Sequence, residues 1–328
     1  MIWIVAEKIF ILLVLLAVLG KSAAWAIRSS VGLSRIAGLS EFVISVVVIT
    51  LISILPETII AILAAAEGSP ALGLGTIIGS NVTDLTLVFG MVALFASHAI
   101  GAEPTFIKED YIFLGFLLLP LVLGFTGVFS RLDGVILIAA GIAFFFIMAR
   151  SKRRRGITRH VHDDGHRHTA MSAFKDFFVL AFSLTLMGAS AYYAVQYADR
   201  VARIAGLGPA LIGLLIVAPG TCLPELVFAI RAVRRRHSTL AFGDILGTVV
   251  IDATLVLGVV AFISPFVFNP RIIIVTGIFM LAAGMLFFSL IRSGRQLTHK
   301  EGLSLLAFYA FFIMVEFATR NWTPLIVK

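Results

Sequence analysis

Leu55-Pro56-Glu57, followed by Gly79 and Asp84, is a pattern this chain writes twice. It returns in the same order as Leu223-Pro224-Glu225, followed by Gly247 and Asp252. One offset, 168 (225 minus 57), aligns the two copies without gaps over a long stretch. Upstream, Gly20 meets Gly188 and the run Arg35-Ile36-Ala37-Gly38-Leu39 meets Arg203-Ile204-Ala205-Gly206-Leu207. Downstream, Gly75 meets Gly243, and Thr86-Leu87-Val88 meets Thr254-Leu255-Val256. Two hydrophobic segments resemble each other by composition alone, but composition does not put Pro, Glu, Gly and Asp in register. The chain is therefore an internal duplication.

The surroundings of the repeat are apolar. Of 328 residues, 60% are hydrophobic and 13% charged, with a mean hydropathy of +1.06, more apolar surface than one water-soluble core can bury. Spans of roughly 20 apolar residues, separated by charged or Gly/Pro breaks, fall near 2–20, 41–66, 71–97, 107–126, 131–149, 173–198, 209–231, 239–264, 270–291 and 302–319. The expected fold is an all-α integral membrane protein of about ten transmembrane helices. Five spans per half is an odd number, so the second half enters the membrane inverted, the arrangement of many secondary transporters. The organisation expected is a first repeat over 1–149, a cytoplasmic linker over 150–172 and a second repeat over 173–328. The first apolar run has no small-residue cleavage pattern behind it and is read as the first span.

The net charge of +8 comes largely from Lys and Arg in short inter-helical loops, which argues against nucleic acid as a partner. Placing Lys21, Arg28 and Arg35, then Lys152 to Arg155, then Arg231 to Arg236, then Arg292, Arg295 and Lys300 on the cytoplasmic side puts both termini outside. Arg200 and Arg203 are exceptions. Cys222 is the sole cysteine, which excludes an intrachain disulfide and CxxC metal sites. A prokaryotic plasma membrane is the expected location, with membrane lipid as a partner and no protein partner required.

Glu57, Asp84, Glu225 and Asp252 lie inside apolar spans, where an ionised side chain costs on the order of 2.5 to 3.5 kcal/mol. No Lys or Arg sits beside them in sequence, so a bound cation or a proton is the expected compensation. Pro56 and Pro224 lack an N–H, which deprives the carbonyls of Ile52 and Gly220 of their helical donors. Carbonyls, carboxylates and hydroxyls together are what a hard cation takes; Ca²⁺ takes six to eight such oxygens. Each half offers a Glu, freed backbone oxygens, a hydroxyl at Ser53 or Thr221, and another at Ser80 or Thr248. Asp84 follows Ser80 by four residues, as Asp252 follows Thr248, so each hydroxyl shares a helix face with a carboxylate.

These residues resemble the paired alpha repeats of the calcium/cation antiporter superfamily, whose best-known members are the sodium/calcium exchangers. The family pattern is GTSxPE in one helix and GSNxxN or GSNxxD in the next. Here the segments read Ile52 to Glu57 and Gly79 to Asp84 in one half, Gly220 to Glu225 and Gly247 to Asp252 in the other. The resemblance implies exchange of Ca²⁺ for Na⁺ by alternating access at a midplane site, with no cofactor. By it, Glu57 and Glu225 are central carboxylates shared by Ca²⁺ and Na⁺, with backbone oxygens of Ser53 and Thr221 and the Ala218 carbonyl nearby. Ser80 and Thr248 serve an inner sodium site, Asp84 and Asp252 the middle position, and the first two helices slide or tilt past the core.

The chain departs from that pattern at Ile54 and Cys222, where hydroxyls are expected, and at Ile52, where glycine is. An outer sodium site loses side-chain oxygens there. Asp84 stands where asparagine is common, and four carboxylates around one divalent ion leave excess negative charge, so some should carry protons. That keeps a proton-coupled exchanger of Ca²⁺ or another cation as the alternative, although the GNAxE-type motif of dedicated proton/calcium exchangers is absent.

Between the halves, Arg150 to Arg155 precedes His160, His162, Asp163, Asp164, His166 and His168. A solvated linker touching anionic lipid is the expectation, with a regulatory metal or pH sensor as the sharper reading. Glu41 and Asp244 are placed near span entrances. His98, His237 and His299 are expected to be solvated. An enzyme would need a nucleophile or water-activating cluster, and no zincin, Ser/His/Asp or phosphate-loop motif is present. A channel is the other rival, distinguished by flux without a counter-ion gradient.

Overall fold

The computed structural model describes residues 2–36, 49–96, 99–101, 110–153, 170–234, 238–294 and 296–319. Glu41, His98, the histidines and aspartates of 160–168 and His237 lie outside the described residues, as does most of the expected linker. The first half contributes α1 (Ile2–Ile36), α2 (Thr50–Ser53), α3 (Leu55–Ala66), α4 (Pro70–Thr83), α5 (Phe89–Phe95), α6 (Asp110–Gly124) and α7 (Arg131–Arg153). The second contributes α8 (Ala170–Ala205), α9 (Pro209–Ile212), α10 (Ala218–Thr221), α11 (Leu223–Arg234), α12 (Ser238–Ile251), α13 (Leu257–Ile263), α14 (Gly277–Gly294) and α15 (His299–Ala318). The bounds of α2 to α5 return as those of α10 to α13 at the offset of 168 found in the sequence (218 minus 50).

Each of the ten apolar segments is predominantly helical where it is described. By length and composition seven are long enough to span among the described residues: Ala6–Ser34, Pro70–Phe95, Ala173–Ala205, Pro209–Arg234, Ala241–Ile263, Ile272–Arg292 and His299–Ala318. The remaining three segments are α2 with α3, α6, and α7. The fold is all-α, apart from two small antiparallel ladders that the periodicity did not foretell. In these, Ile100–Gly101 pairs with Gln296–Leu297, and Val128–Phe129 with Phe266–Val267. Each ladder joins a strand of one half to a strand of the other, as a pseudo-two-fold relation requires.

Burial ranks the helices. The apolar stretches of α4–α5 and α12–α13 are 83% and 78% buried, against 39% and 33% for α1 and α8, so the Gly- and Asp-bearing helices form the centre. Their glycines explain how it closes. A Cβ on Gly75 would fall on the backbone of Ala210, and one on Gly79 would stand 2.9 Å from the Leu214 Cα and 3.1 Å from the Ala218 Cβ. Close backbone crossings of this kind need small residues.

At the periphery α1, the first helix of one half, packs lengthwise on α8, the first helix of the other. Leu12, Leu16 and Leu19 meet Met187, Ala191 and Ala194 in an apolar cluster separate from the main core. The outer faces of the same helices leave Phe10, Leu13, Phe174, Phe177 and Phe178 exposed, as suits contact with hydrocarbon. One ion pair is buried among the described residues. The Arg271 guanidinium lies 2.6 Å from Glu316, which also accepts from Thr276 at 2.6 Å, and it donates to the Thr319 carbonyl at 2.6 Å.

Candidate ion-binding site

Both Leu-Pro-Glu segments break their helix at the same place. Ile54 (φ −73°, ψ −7°) separates α2 from α3, and Cys222 (φ −75°, ψ 0°) separates α10 from α11. Proline becomes the second residue of the helix that resumes, where its missing N–H is tolerated. This puts Glu57 and Glu225 in the first turn of α3 and α11, next to the break. Both are buried, at 2% and 1% exposure.

The opposing wall comes from α4 and α12. Each ends in a π-helical turn, Asp84–Val88 and Asp252–Val256, so each aspartate begins a widened segment. Thr86 and Thr254 explain how this is tolerated. Their hydroxyls donate 2.5 Å to the carbonyls of Val82 and Val250, four residues back, satisfying acceptors on the last helical turn. Single π turns inside α-helices often mark functional sites. The sequence reading missed them, although the duplicated Asp-x-Thr-Leu-Val was the available signal.

The structure brings the four expected acids together across the two halves. The charge of Glu57 is felt from Asp252, Glu225 and Asp84, and the Asp252 side chain is within hydrogen-bonding reach of Glu57. The Ser80 hydroxyl donates to the Ile77 carbonyl at 2.8 Å and stands 3.3 Å from Asp252, so it reaches the aspartate of the other half and not Asp84, its helix neighbour. Thr248, its counterpart, is fully buried and its hydroxyl has no partner. Thr221 donates to the Ala218 carbonyl at 2.9 Å, and that carbonyl also accepts the Cys222 N–H at 3.1 Å. The Ala218 oxygen is thus engaged twice within its own turn. Ser53 is fully buried, its hydroxyl 3.5 Å from Asp244.

Asp244 is the residue whose part in the cluster sequence reasoning missed. It lies near the start of its span as expected, yet it is 2% exposed and its charge acts on Asp84 and Glu225. Its place four residues before Thr248 and eight before Asp252 sets all three on one face of α12, a spacing legible beforehand. Cys222 also faces the acids: its thiol lies 3.7 Å from the Ser80 carbonyl and within reach of Asp84.

Across the five acids, seven carboxylate oxygens are buried without a hydrogen-bond partner: Glu57 Oε2, both of Asp84, both of Glu225, Asp244 Oδ2 and Asp252 Oδ1. Among the described residues no Lys, Arg or His pairs with any of them. Nor does any group of three or more His, Cys, Asp or Glu side chains among the described residues stand where it could hold a metal ion by itself. The acids surround a shared region instead of converging on a point. Such charge is costly unless a cation or protons compensate it.

Comparison with known proteins agrees with the duplication. The Sodium/calcium exchanger protein family profile matches residues 7–150 and again 175–318, the two matches offset by the same 168 (175 minus 7). The chain belongs to the sodium/calcium exchanger family. It is 25% identical to Sodium/calcium exchanger MaX1 of Methanosarcina acetivorans, over 95% of this chain and 99% of that one. It is 28% identical to Inner membrane protein YrbG of Escherichia coli, over 73% and 74%. A solved structure of the sodium-calcium exchanger NCX_Mj, soaked with Na⁺ and Ca²⁺, superposes with a TM-score of 0.64 over 96% of this chain and 98% of that one. At 22% identity that likeness carries the fold alone.

Proposed function

We propose that this exchanger moves Ca²⁺ against Na⁺ as a secondary transporter, not an enzyme, by alternating access at the carboxylate cluster between its halves. The observation that carries this reading is the set of seven buried, unpartnered carboxylate oxygens contributed by both repeats. In the proposed site Glu57 and Glu225 are the central ligands, Asp84 and Asp252 flank them, and Ser53, Thr221, Ser80, Thr248 and the Ala218 carbonyl supply neutral oxygens. A cation entering draws these groups inward, since the acids alone do not converge. The twice-engaged Ala218 oxygen has to give up one of its donors to take part. Na⁺ and Ca²⁺ are substrates, and nothing in the chemistry calls for a cofactor or protein partner.

The exchanger lies in the plasma membrane of a prokaryote, with both termini outside and the basic residues of 150–172 and 231–236 facing the cytoplasm. That linker divides the chain into repeats over 1–149 and 173–328. The α1–α8 pair, which has its own apolar cluster apart from the main core and is far less buried than α4–α5 and α12–α13, is the element that moves past the core.

Coupling to H⁺ is the second reading, and Asp84 and Asp244 favour it: beside Glu57, Glu225 and Asp252 they give more negative charge than one divalent ion neutralises. The deciding measurement is Ca²⁺ uptake into proteoliposomes driven separately by outward Na⁺ and outward H⁺ gradients. Uptake with Na⁺ is the expected result. Uptake with H⁺ alone replaces Na⁺ by H⁺ in the proposal. Uptake that ignores both gradients identifies a channel, and absence of Ca²⁺ flux refutes Ca²⁺ as substrate.

A further inference from the structure

The two halves are alike at the Glu, the second-helix hydroxyl and the Asp, but not one turn earlier. At the position of Asp244 the first half has Thr76 (244 minus 168), whose hydroxyl turns back on its own helix to the Leu72 carbonyl at 2.9 Å. Asp244 instead reaches out of its helix to Ser53 on α2. One of its oxygens has no partner, and the Thr248 hydroxyl one turn on along the same face, at 0% exposure, has none either. Thr50, also buried, lies beside this face, its hydroxyl oxygen 3.6 Å from where a Cβ of Gly247 would stand. Eight residues of helix separate Asp244 from Asp252, roughly 12 Å of rise. The acid therefore extends the cluster along α12 toward the end that adjoins α11, and only on that side.

We propose that Asp244, sharing Ser53 and Thr248 with the central site, forms an additional divalent-cation subsite, through which ions pass between the central carboxylates and the membrane face at which α11 ends and α12 begins. One carboxylate and two hydroxyls are hard oxygen donors suited to a partly hydrated Ca²⁺ and poor ligands for soft metals. The chain's two access routes are then chemically unlike. The route ending at Asp244 gathers divalent ions, whereas the related route, which ends at Thr76, has only a hydroxyl already committed to its helix.

This inference rests on the proposed exchange, and its test is side-specific. The full chain and its Asp244→Asn and Asp244→Thr variants are reconstituted, and half-saturating Ca²⁺ is measured from each face in right-side-out and inside-out vesicles. Both variants should raise half-saturating Ca²⁺ about 10- to 100-fold on the face at which α11 ends and α12 begins, the range for losing a supporting metal-site group, with less than about a twofold change on the other. Equal changes on both faces, loss of exchange from both, or no change on either overturns the subsite. Where the parent shows no Ca²⁺ exchange, the exchange reading fails separately. Ca²⁺-dependent melting of parent and Asp244→Asn chains in detergent then tests the subsite, and identical shifts overturn it.

Discussion

Glu225→Gln perturbs the proposed site with the smallest change of shape. Both Glu225 oxygens are buried and unpartnered, so the substitution removes a charge without breaking a side-chain hydrogen bond. A carboxylate and a divalent ion whose charges are about 4 Å apart attract by roughly 8 kcal/mol at an effective dielectric of ~20. An amide oxygen keeps part of this as a dipole. Losing half, ~4 kcal/mol, weakens Ca²⁺ binding by about three orders of magnitude. Thermal melting of the purified chain in detergent reads this directly. At Ca²⁺ 100-fold above the parent dissociation constant, binding stabilises the parent by about 2.7 kcal/mol and the variant by under ~0.1 kcal/mol. For a chain of this size that is a rise on the order of 5 °C for the parent and none for the variant. Without Ca²⁺ the variant should melt no lower than the parent, because one of five mutually repelling carboxylates is gone. A variant that keeps the parent's Ca²⁺-dependent shift would refute the assignment of Glu225 as a ligand.

Two further predictions address the scaffold. Gly75→Ala drives a methyl group into the Ala210 backbone and should cost about 1 to 3 kcal/mol or more of stability, with reduced exchange. Gly115→Ala, which meets nothing within 4 Å, is the control and should be neutral or mildly stabilising; equal melting of the two variants would sink the close crossing. Glu316→Ala leaves the Arg271 guanidinium buried without its carboxylate and should destabilise the chain by about 3 to 5 kcal/mol. In the folded fraction its Ca²⁺ affinity should be that of the parent, and a changed affinity would show that this pair is linked to the ion site.

Much of the protein was legible in one dimension because the signals are local. A buried acid in an apolar span, a proline beside it and small residues in the next span each state a requirement of a single helix. Repetition at an offset of 168 shows the requirement is met twice, and an odd number of spans per half makes the second copy inverted. These features pointed to the family and the fold class, and they singled out the four acids that the proposed site uses. The missing proline N–H announced a disturbed helix beside each Glu, and the turns at Ile54 and Cys222 lie there.

Contacts across the pseudo-two-fold were set by packing. Helix periodicity put Ser80 beside Asp84, but the close approach of backbones at Gly75 and Gly79 brings α4 against the second half, and Ser80 meets Asp252. Asp244 looked peripheral in sequence because it lies near the start of its span, yet α2 folds over it and buries it against Ser53. The π turns depend on which carbonyls the Thr86 and Thr254 hydroxyls can reach once the helix is enclosed. Sequence determined which groups must be compensated inside the membrane. The tertiary structure decided which groups face one another, because side chains more than a helix turn apart meet only through the packing of the backbones that carry them.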